Sequence, residues 1–328
     1  MPSIAPSTSL ATLRPDLGGS MLEFDLAMDA QGFVATRVLP VFEAAEKSGT
    51  YGLVPIEQLL RSQDVNRAPG ADYAHTSTDF TERTYATTER GLVEIIDDNT
   101  RATYRNFFDA ELIVANKIRR MVMEQQERET AAAIFDTSVW TGSDLFTNVS
   151  NEWSNASSGT PIADVKDAVQ KIRLNSGVRA NALVISDTVA RNLRQSDDVI
   201  NRIIAAGAGV AAKPNDITDT LLAAALGIDM VLVAGAIKNT AADGAAFAGA
   251  DVWDDEYAMV CRVAGSSDIQ EPCIGRTMHW SEDGSTIGGV VETYRDAPRR
   301  GEAVRVRHQI GIEIMYPEAG HLLGNITA

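Results

Sequence analysis

The sequence predicts a mixed α+β protein, with one very long helix, an α/β unit and a set of long terminal strands. Residues from Arg101 to about Asp136 contain no Gly and no Pro, and their apolar side chains recur at roughly helical spacing. Helical and buried-strand patterns alternate from Thr160 to Ile237, which is typical of an α/β layer. Apolar residues and His308 then occupy every even position from Val304 to Tyr316, which predicts a strand of 13 residues with one covered face.

Composition and charge exclude several classes of protein. The 328 residues are 45% hydrophobic and 23% charged, as in a folded chain of one large or two ordinary domains. Against 45 Asp and Glu there are 29 Lys and Arg, and the net charge of −16 argues against a broad phosphate-binding surface. No apolar run approaches the ~20 residues of a spanning helix, and the N-terminus has no secretory pattern. We therefore expect no membrane association and a protein made and used in a cytoplasm.

The N-terminal third predicts segments that cannot fold by themselves. Residues 1–35 are rich in Pro, Ser, Thr and Gly, which indicates an arm ordered only against something else. A short helix on the domain body is expected after Pro55. From Asp64 to about Ile96, Thr and aromatic residues give β-propensity without a core-forming face. A hairpin of this polarity is marginal alone, so we expect an extended hairpin laid on a partner; the alternative is a long surface loop.

The central elements follow from capping and periodicity. Residues 97–100 offer capping side chains for the long helix, which is expected to run for about 34 residues and about 50 Å. Thr160 and Pro161 begin the next helix, and Gly177 ends it. The pattern further predicts a buried strand at 182–185, a helix capped at 186–187, a helix starting at 215–216 and a buried strand at 230–237.

No motif in the sequence predicts catalysis, a cofactor or a metal. The stretch 207–212 matches GxGxxA, but Lys213-Pro214-Asn215 breaks the helix that a dinucleotide site needs, so it is interpreted as a mobile loop. Walker, GxSxG and HExxH motifs are absent, and the four histidines are scattered. His308 is expected to be a satisfied core residue. Cys261 and Cys273 lack metal-ligand spacing and are expected to be reduced.

The order of elements resembles the tailed-bacteriophage major capsid proteins of the Hong Kong 97 fold. The arm, polar hairpin, long helix, α/β unit and terminal strands follow one another as in that family, over nearly the whole chain. Local sequences are also similar to the family, notably GTYGLVPIEQLL, RGLVEIIDDNTRATYRNFFDAE, DVWDDEYAMVCRV and YPEAGHLLGNI. None of these is a catalytic signature, so their value lies in their co-occurrence in this order.

The resemblance implies a domain plan and a function. The plan is an N-arm at 1–35, a first part of the peripheral domain at 36–60, an extended loop at 61–96, the peripheral domain with its spine helix (about 100–136) at 97–162, an axial domain at 163–285, and terminal strands returning to the peripheral domain at 286–328. The implied function is that of a major capsid protein, not an enzyme, which forms the icosahedral head of a double-stranded DNA phage from pentamers and hexamers. It would be found in the virion after assembly in the host cytoplasm.

The resemblance also implies partners and contact residues. The candidate inter-subunit residues are Arg67, Tyr73, Phe80, Glu82, Arg83, Tyr85, Glu89 and Arg90. An acidic shell would enclose DNA without sequence-specific binding. The resemblance also implies a portal protein and a possible decoration protein as partners. Because no long helical leader precedes the arm, a separate scaffolding protein is expected, and no large proteolytic trimming is expected. No Lys lies between Asp64 and Ile96, which excludes a Lys–Asn isopeptide cross-link from this loop.

Three other functions stay open at this stage. A self-assembling, encapsulin-like bacterial compartment shares the implied fold, and a neighbouring cargo-enzyme gene would favour it. Another phage structural protein, such as a decoration or tail subunit, is a further alternative. An enzyme built on the α/β segment would need a pocket with a His, a Cys or paired carboxylates, which the sequence does not show.

Overall fold

The computed structural model describes residues 12–13, 32–63, 65–67, 69–70, 72–77, 79–104, 110–205, 217–242, 244–282 and 284–327. Most of the predicted arm, the 207–212 stretch and the predicted helix start at 215–216 lie outside these residues.

The helices within the described residues are α1 (Ala35–Val38), α2 (Ile56–Leu59), α3 (Asp98–Tyr104), α4 (Ala110–Ile134), α5 (Pro161–Ser176), α6 (Asp187–Gln195), α7 (Asp197–Ala205) and α8 (Asp219–Leu226), with a 3-10 turn at Pro317–Ala319. The strands are β1 (Thr12–Leu13), β2 (Val41–Glu43), β3 (Ser48–Leu53), β4 (Thr81–Ala86), β5 (Thr88–Asp97), β6 (Phe146–Asn148), β7 (Ala182–Ser186), β8 (Met230–Ala234), β9 (Ile237–Asn239), β10 (Gly249–Asp251), β11 (Ala258–Cys261), β12 (Gly275–His279), β13 (Val290–Asp296), β14 (Gly301–Ile314) and β15 (Gly320–Gly324).

A six-stranded sheet is built around the long strand β14. Its order is β1-β13-β14-β12-β2, and β5 also pairs with β14. β13 pairs with the first half of β14, from Gly301 to Arg307, and β12 pairs with its last five residues. β5 covers residues 301–310 of β14 in an antiparallel ladder. The predicted long strand is therefore confirmed, although it ends at Ile314 rather than Tyr316.

Helix α4 packs along this sheet. Ile118 and Val122 join Val304 and Val306 in one buried cluster. The 25-residue α4 confirms most of the predicted long helix. The sequence predicts that α3 and α4 form one helix, but residues 105–109 between them lie outside the described part of the chain, so this point stays a prediction. His308 is fully buried on the covered face as predicted, but it is not satisfied, since neither ring nitrogen has a hydrogen-bond partner among the described residues.

A five-stranded sheet forms the second layer, in the order β6-β15-β11-β7-β8. All residues of β7, β11 and β15 are buried, and helices α5 to α8 supply apolar side chains such as Ile172 and Leu193 to the same core. Gly177 ends α5 in the left-handed region at φ 71°, as the sequence predicts. The Ser186 hydroxyl accepts a hydrogen bond from the amide of Val189 and so caps α6. The predicted α/β unit is confirmed.

Three local predictions in this unit are wrong. The Thr160 side chain makes no capping bond, and its hydroxyl donates instead to Asp164 at 3.4 Å. Helix α8 does not include residues 217–218, because Thr218 caps it and places its start at Asp219. The predicted strand 230–237 is two strands, since β8 ends at Ala234 and β9 pairs with β10.

The predicted hairpin from Asp64 to Ile96 is wrong in its pairing. β4 pairs with β3, which precedes it by 27 connecting residues, and β5 pairs with β14. At the junction, the amide and hydroxyl of Thr87 both donate to the Lys47 carbonyl, which redirects the chain from one pairing to the other. The Gly-rich strand β3 carries a weak β signal in sequence, so its role as partner was missed. Helix α2 consequently lies within the connecting segment, here called the 54–80 loop.

Candidate inter-subunit interface

The β3–β4 ribbon is anchored on the six-stranded sheet by its inward-facing side chains. Tyr51 and Tyr85 lie with ring centroids 6.5 Å apart and pack against a cluster that includes Met278 and Tyr316. Burial raises the pKa of Tyr51, and the nearby Glu313 charge adds to this effect. The Tyr85 hydroxyl donates to the Glu46 carbonyl at 3.3 Å. One face of the ribbon is therefore fixed to the chain itself.

The strand period divides β4 into an inner and an outer face. Arg83 points inward, and its guanidinium donates to the Ile314 carbonyl at 3.3 Å. Glu82 and Thr84 lie between the inward residues and are exposed. The outer face of the ribbon is thus available to another molecule.

The 54–80 loop exposes apolar side chains. Every described residue from Leu60 to Glu82 is exposed, including Val65 at 87%, Tyr73 at 69% and Phe80 at 72%. Single exposed apolar residues are ordinary, whereas several large ones in one exposed segment favour an interaction surface. The 54–80 loop is therefore a candidate contact surface for a partner.

Two internal contacts give the 54–80 loop a defined shape. The Arg67 guanidinium lies 4.6 Å from the Tyr73 ring centroid, a cation–π contact. At the base of the loop, the Asp79 amide donates to the Gln58 side-chain oxygen at 2.7 Å. The loop therefore presents its exposed side chains in a partly ordered arrangement before any partner binds.

The remaining candidate residues, Glu89 and Arg90, lie on β5. Arg90 donates to Glu129 of α4 at 3.0 Å and to the Ile310 carbonyl at 2.6 Å. Glu89 is 57% exposed and lies 4.0 Å from Arg307. Within the eight candidates, Arg67, Tyr73, Phe80, Glu82 and Glu89 are exposed, whereas Arg83, Tyr85 and Arg90 are half-buried and hydrogen-bonded within their own chain. All eight remain predictions as inter-subunit contacts.

Sequence reasoning missed two exposed apolar residues of the same surface, Leu60 and Val65. Leu60 was assigned to a helix on the domain body, yet it is 55% exposed and follows α2 in the loop. Val65 stands beside Asp64 and Asn66, where a single apolar residue carries no periodic signal. Its position in a segment without a core-forming face was the available clue.

One cluster has the residue types of a hydrolase triad. His279 Nδ1 lies 2.8 Å from a Glu43 carboxylate oxygen, and its Nε2 lies 3.3 Å from the Ser285 hydroxyl. His279 and Ser285 are each 2% exposed, and the Ser285 hydroxyl donates to the Trp280 carbonyl at 3.0 Å. A nucleophile must reach substrate in order to act. This arrangement instead ties β12 to β2 and to the 280–285 segment.

A second polar cluster joins β6, β15 and α5. The Lys171 ammonium donates to the Thr147 hydroxyl at 2.6 Å, and that hydroxyl lies 3.0 Å from His321 Nε2. His321 Nδ1 lies 2.8 Å from the Asp144 carbonyl rather than from a carboxylate. Burial lowers the pKa of His321, although the Asp144 carbonyl opposes this effect. These hydrogen bonds link helix α5 to strands β6 and β15.

Neither a metal site nor a membrane segment is found among the described residues. No group of three or more His, Cys, Asp or Glu side chains there could hold a metal ion. No helix in the same part of the chain is long and apolar enough to cross a bilayer. Cys261 and Cys273 are buried free thiols, and burial raises the pKa of Cys261 to about 12.

Several solved structures are similar to this protein over most of its chain. A phage-related protein from Bordetella bronchiseptica RB50 is similar at 19% identity with a TM-score of 0.67, over 90% of this chain and 92% of that chain. The capsid of the cyanophage P-SCSP1u is similar at 12% identity with a TM-score of 0.59, over 88% and 86% of the two chains. The mature capsid of bacteriophage PhiM1 is similar at 14% identity with a TM-score of 0.54, over 87% and 85%.

At the level of sequence, comparison with protein-family models and with curated proteins gives no match. The likeness is one of structure, and it extends over nearly all of this chain and of its neighbours. It confirms the predicted α+β fold class, with its long helix, extended loop and α/β layer. The protein therefore has the Hong Kong 97-type fold of tailed-bacteriophage capsid proteins.

Proposed function

We propose that this protein is a major capsid protein, which assembles through pentamers and hexamers into the icosahedral head shell of a tailed double-stranded DNA phage. The observation that carries the proposal is the capsid fold over almost the whole chain, combined with the exposed 54–80 loop. A projecting loop with Tyr73 and Phe80 at its surface is costly on a soluble monomer. Neighbouring subunits in a shell would cover it.

In this proposal the two sheets correspond to the two domains. The six-stranded sheet with α4 forms the peripheral domain, and the five-stranded sheet with α5 to α8 forms the axial domain that meets its copies at capsomer centres. β6 and β15 belong to the axial sheet although they lie outside residues 163–285. The peripheral sheet similarly takes β12 from within that range.

The proposed partners follow from the same function. The net charge of −16 favours a container that does not adhere to packaged DNA. A separate scaffolding protein would direct closure of the shell during assembly in the host cytoplasm. A portal protein would replace one pentamer, and a decoration protein would bind the outer surface of the mature virion.

The test is expression of the protein alone and together with its neighbouring genes, followed by analytical ultracentrifugation and electron microscopy. Closed particles of uniform diameter, with or without a scaffolding partner, are expected. A compact monomer or dimer under every condition would refute the proposal. Particles carrying a protein cargo and no DNA after expression in the natural host would instead support the compartment alternative.

A matched pair of variants tests the role of the 54–80 loop. Phe80→Ser removes an aromatic side chain that is 72% exposed on the loop, and it should reduce the yield of closed particles at least tenfold. Phe247→Ser is the control, because Phe247 is 69% exposed between β9 and β10, outside the proposed contact surface. Equal losses in both variants, or none in Phe80→Ser, would contradict the assignment.

A further inference from the structure

Glu127 is a buried carboxylate in the C-terminal half of the long helix α4. It is 1% exposed, and each of its two oxygens accepts a hydrogen bond from a distant part of the chain. The Ala35 amide donates to Oε1 at 2.6 Å, and the Trp253 indole N–H donates to Oε2 at 2.8 Å. The two donors are 92 and 126 positions away in the sequence, so one side chain connects three separate segments.

These hydrogen bonds lie where the two large sheets meet. Trp253 belongs to a buried cluster that contains Val184 of the five-stranded sheet and packs against Ile312 of the six-stranded sheet. Helix α1 is connected to both sheets as well. Before it, the Gly32 carbonyl accepts a hydrogen bond from the Gly235 amide just after β8, and after it β2 pairs with β12. Glu127 therefore lies at the junction of the two sheets.

Helix α1 depends on Glu127 for its N-terminal cap. The first N–H groups of a helix have no partner inside the helix, and a polar side chain at the N-cap position usually accepts from them. Here the N-cap residue is Val34, whose side chain cannot accept a hydrogen bond. The Glu127 carboxylate takes that place from α4, and a hydrogen bond to an ionised acceptor is about twice as strong as one to a neutral acceptor. The charge of Glu127 therefore holds the first turn of α1 against α4.

N–H groups, rather than a cation, surround the Glu127 carboxylate. Burial raises the pKa of Glu127, and the N–H groups of Ala35 and Trp253 only partly oppose this effect. None of the charged residues on the surrounding segments is fully buried, and none forms an ion pair with Glu127 in the described part of the chain. They are Arg37 on α1, Lys238 after Ala236, Asp251 and Asp254 around Trp253, and Glu124 and Arg128 on α4. The folded subunit therefore takes up a proton at Glu127 at a higher pH than an exposed glutamate does.

We propose that Glu127 is a pH-sensitive switch at this junction: its carboxylate holds α1 and Trp253 on α4, and its protonated form releases α1. A proton on either oxygen faces an N–H group that already donates to that oxygen, so protonation weakens at least one of the two hydrogen bonds. Trp253 stays in place, because it is fully buried and its ring packs edge-on against Phe135 with centroids 5.3 Å apart. Helix α1 has four residues and no other N-terminal cap, so it is the element that detaches.

The Trp253 indole N–H reports the state of Glu127 in the unassembled full-length subunit. Its NMR resonance, identified by its loss in Trp253→Phe, should shift as the pH is lowered from about 7.5 to 4.5, with a midpoint above that of an exposed glutamate. Glu127→Gln should abolish this shift. Glu124→Gln, a matched change on the same helix, should retain it. A resonance that does not shift in the unaltered protein, or that shifts equally in Glu127→Gln, would overturn the proposal.

Trypsin provides a second readout, for the release of α1. Arg37 is exposed on α1, but cleavage after it requires this helix to open locally. At neutral pH, Glu127→Gln removes the charge and should speed this cleavage at least tenfold relative to cleavage after Arg61, whereas Glu124→Gln should leave the ratio unchanged. Equal ratios in the two variants would overturn the proposal. Both measurements use unassembled subunits, so their failure would leave the proposed capsid function unaffected.

Discussion

The five-stranded unit and the 54–80 loop use apolar side chains in opposite ways. In β7, β11 and β15 every residue is buried, because one face of the sheet packs in a core shared with helices α5 to α8 and the other face packs in a second core. In the 54–80 loop, Val65, Tyr73 and Phe80 are more than two-thirds exposed. The first region is stable through its own packing, whereas we propose that the second gains its packing from another molecule. Substitutions in the first should therefore change folding, and substitutions in the second should change association.

The largest effect is expected from Leu183→Ala in β7. Leu183 is fully buried in the core of the five-stranded unit, and truncation should lower the free energy of unfolding by about 2–5 kcal/mol. Phe80→Ala should change it by less than about 0.5 kcal/mol, because the side chain contacts mainly solvent in the subunit. Urea denaturation of unassembled subunits measures both. Similar losses in the two variants would remove the contrast between the regions.

His308 should make the free energy of unfolding depend on pH, with a change of roughly 3 kcal/mol. Burial lowers its pKa to about 4, and the Arg90 and His279 charges act in the same direction while Glu129 opposes them. The unfolded chain takes up this proton near pH 6.5, so the contribution of His308 is fully present above that pH and is lost as the pH falls towards 4. Burial raises the pKa of Glu127, which partly offsets this loss.

His308→Leu should flatten the stability profile between pH 4 and 6.5, as measured by thermal unfolding of the subunit. His75→Leu is the matched control, since the His75 side chain is 90% exposed in the 54–80 loop. An unchanged profile in His308→Leu, or the same change in both variants, would contradict the assignment.

In limited proteolysis, the 54–80 loop should be cut at least tenfold faster than the five-stranded unit. Trypsin is expected to cut after Arg61 and Arg67 in the unassembled subunit, because both lie in the exposed stretch. Sites in the five-stranded unit should be cut more slowly, since they need local unfolding. In closed shells the loop sites should become protected at least tenfold. Cleavage at equal rates before and after assembly would show that neighbours do not cover the loop.

At the buried Ser285–His279–Glu43 cluster, we expect no chemical labelling at all. A fluorophosphonate probe should not label Ser285 in the folded subunit, because the side chain is 2% exposed and already bonded to the Trp280 carbonyl. Mass spectrometry of the treated protein is the measurement, with the Ser285→Ala variant as the blank. Labelling at Ser285 would reveal an accessible nucleophile and reopen the question of catalysis.

The difference between the regions also explains what the sequence could predict. Period-two alternation predicts β14 and helical spacing predicts α4, since both bury one continuous face. The pairing of β4 with β3 was not predictable in the same way, because the partner strand SGTYGL has little apolar periodicity. The split between β8 and β9 depends on tertiary contacts of Gly235 and Ala236 with residues 32 and 252.

The candidate surface was predicted in part. Tyr73 and Phe80 stood out as aromatic residues in a segment without a core, and both are exposed. Arg83 and Arg90 were selected by charge alone, which does not distinguish an outward arginine from one that bonds a carbonyl of its own chain. The buried cluster at His279 combines residues from distant parts of the sequence, 236 positions apart for Glu43 and His279, and no local pattern could reveal it.

The pairing of β2 with β12 has a consequence for synthesis. Val41 pairs with Thr277, so β2 must wait for 236 further residues before its partner exists. At ~5–20 residues per second this delay is roughly 12–50 s on the ribosome. The sheet on which the β3–β4 ribbon packs is therefore incomplete until β12 has been synthesised. Under the proposed capsid function, a nascent chain cannot hold this ribbon in its final position against a neighbour before that point.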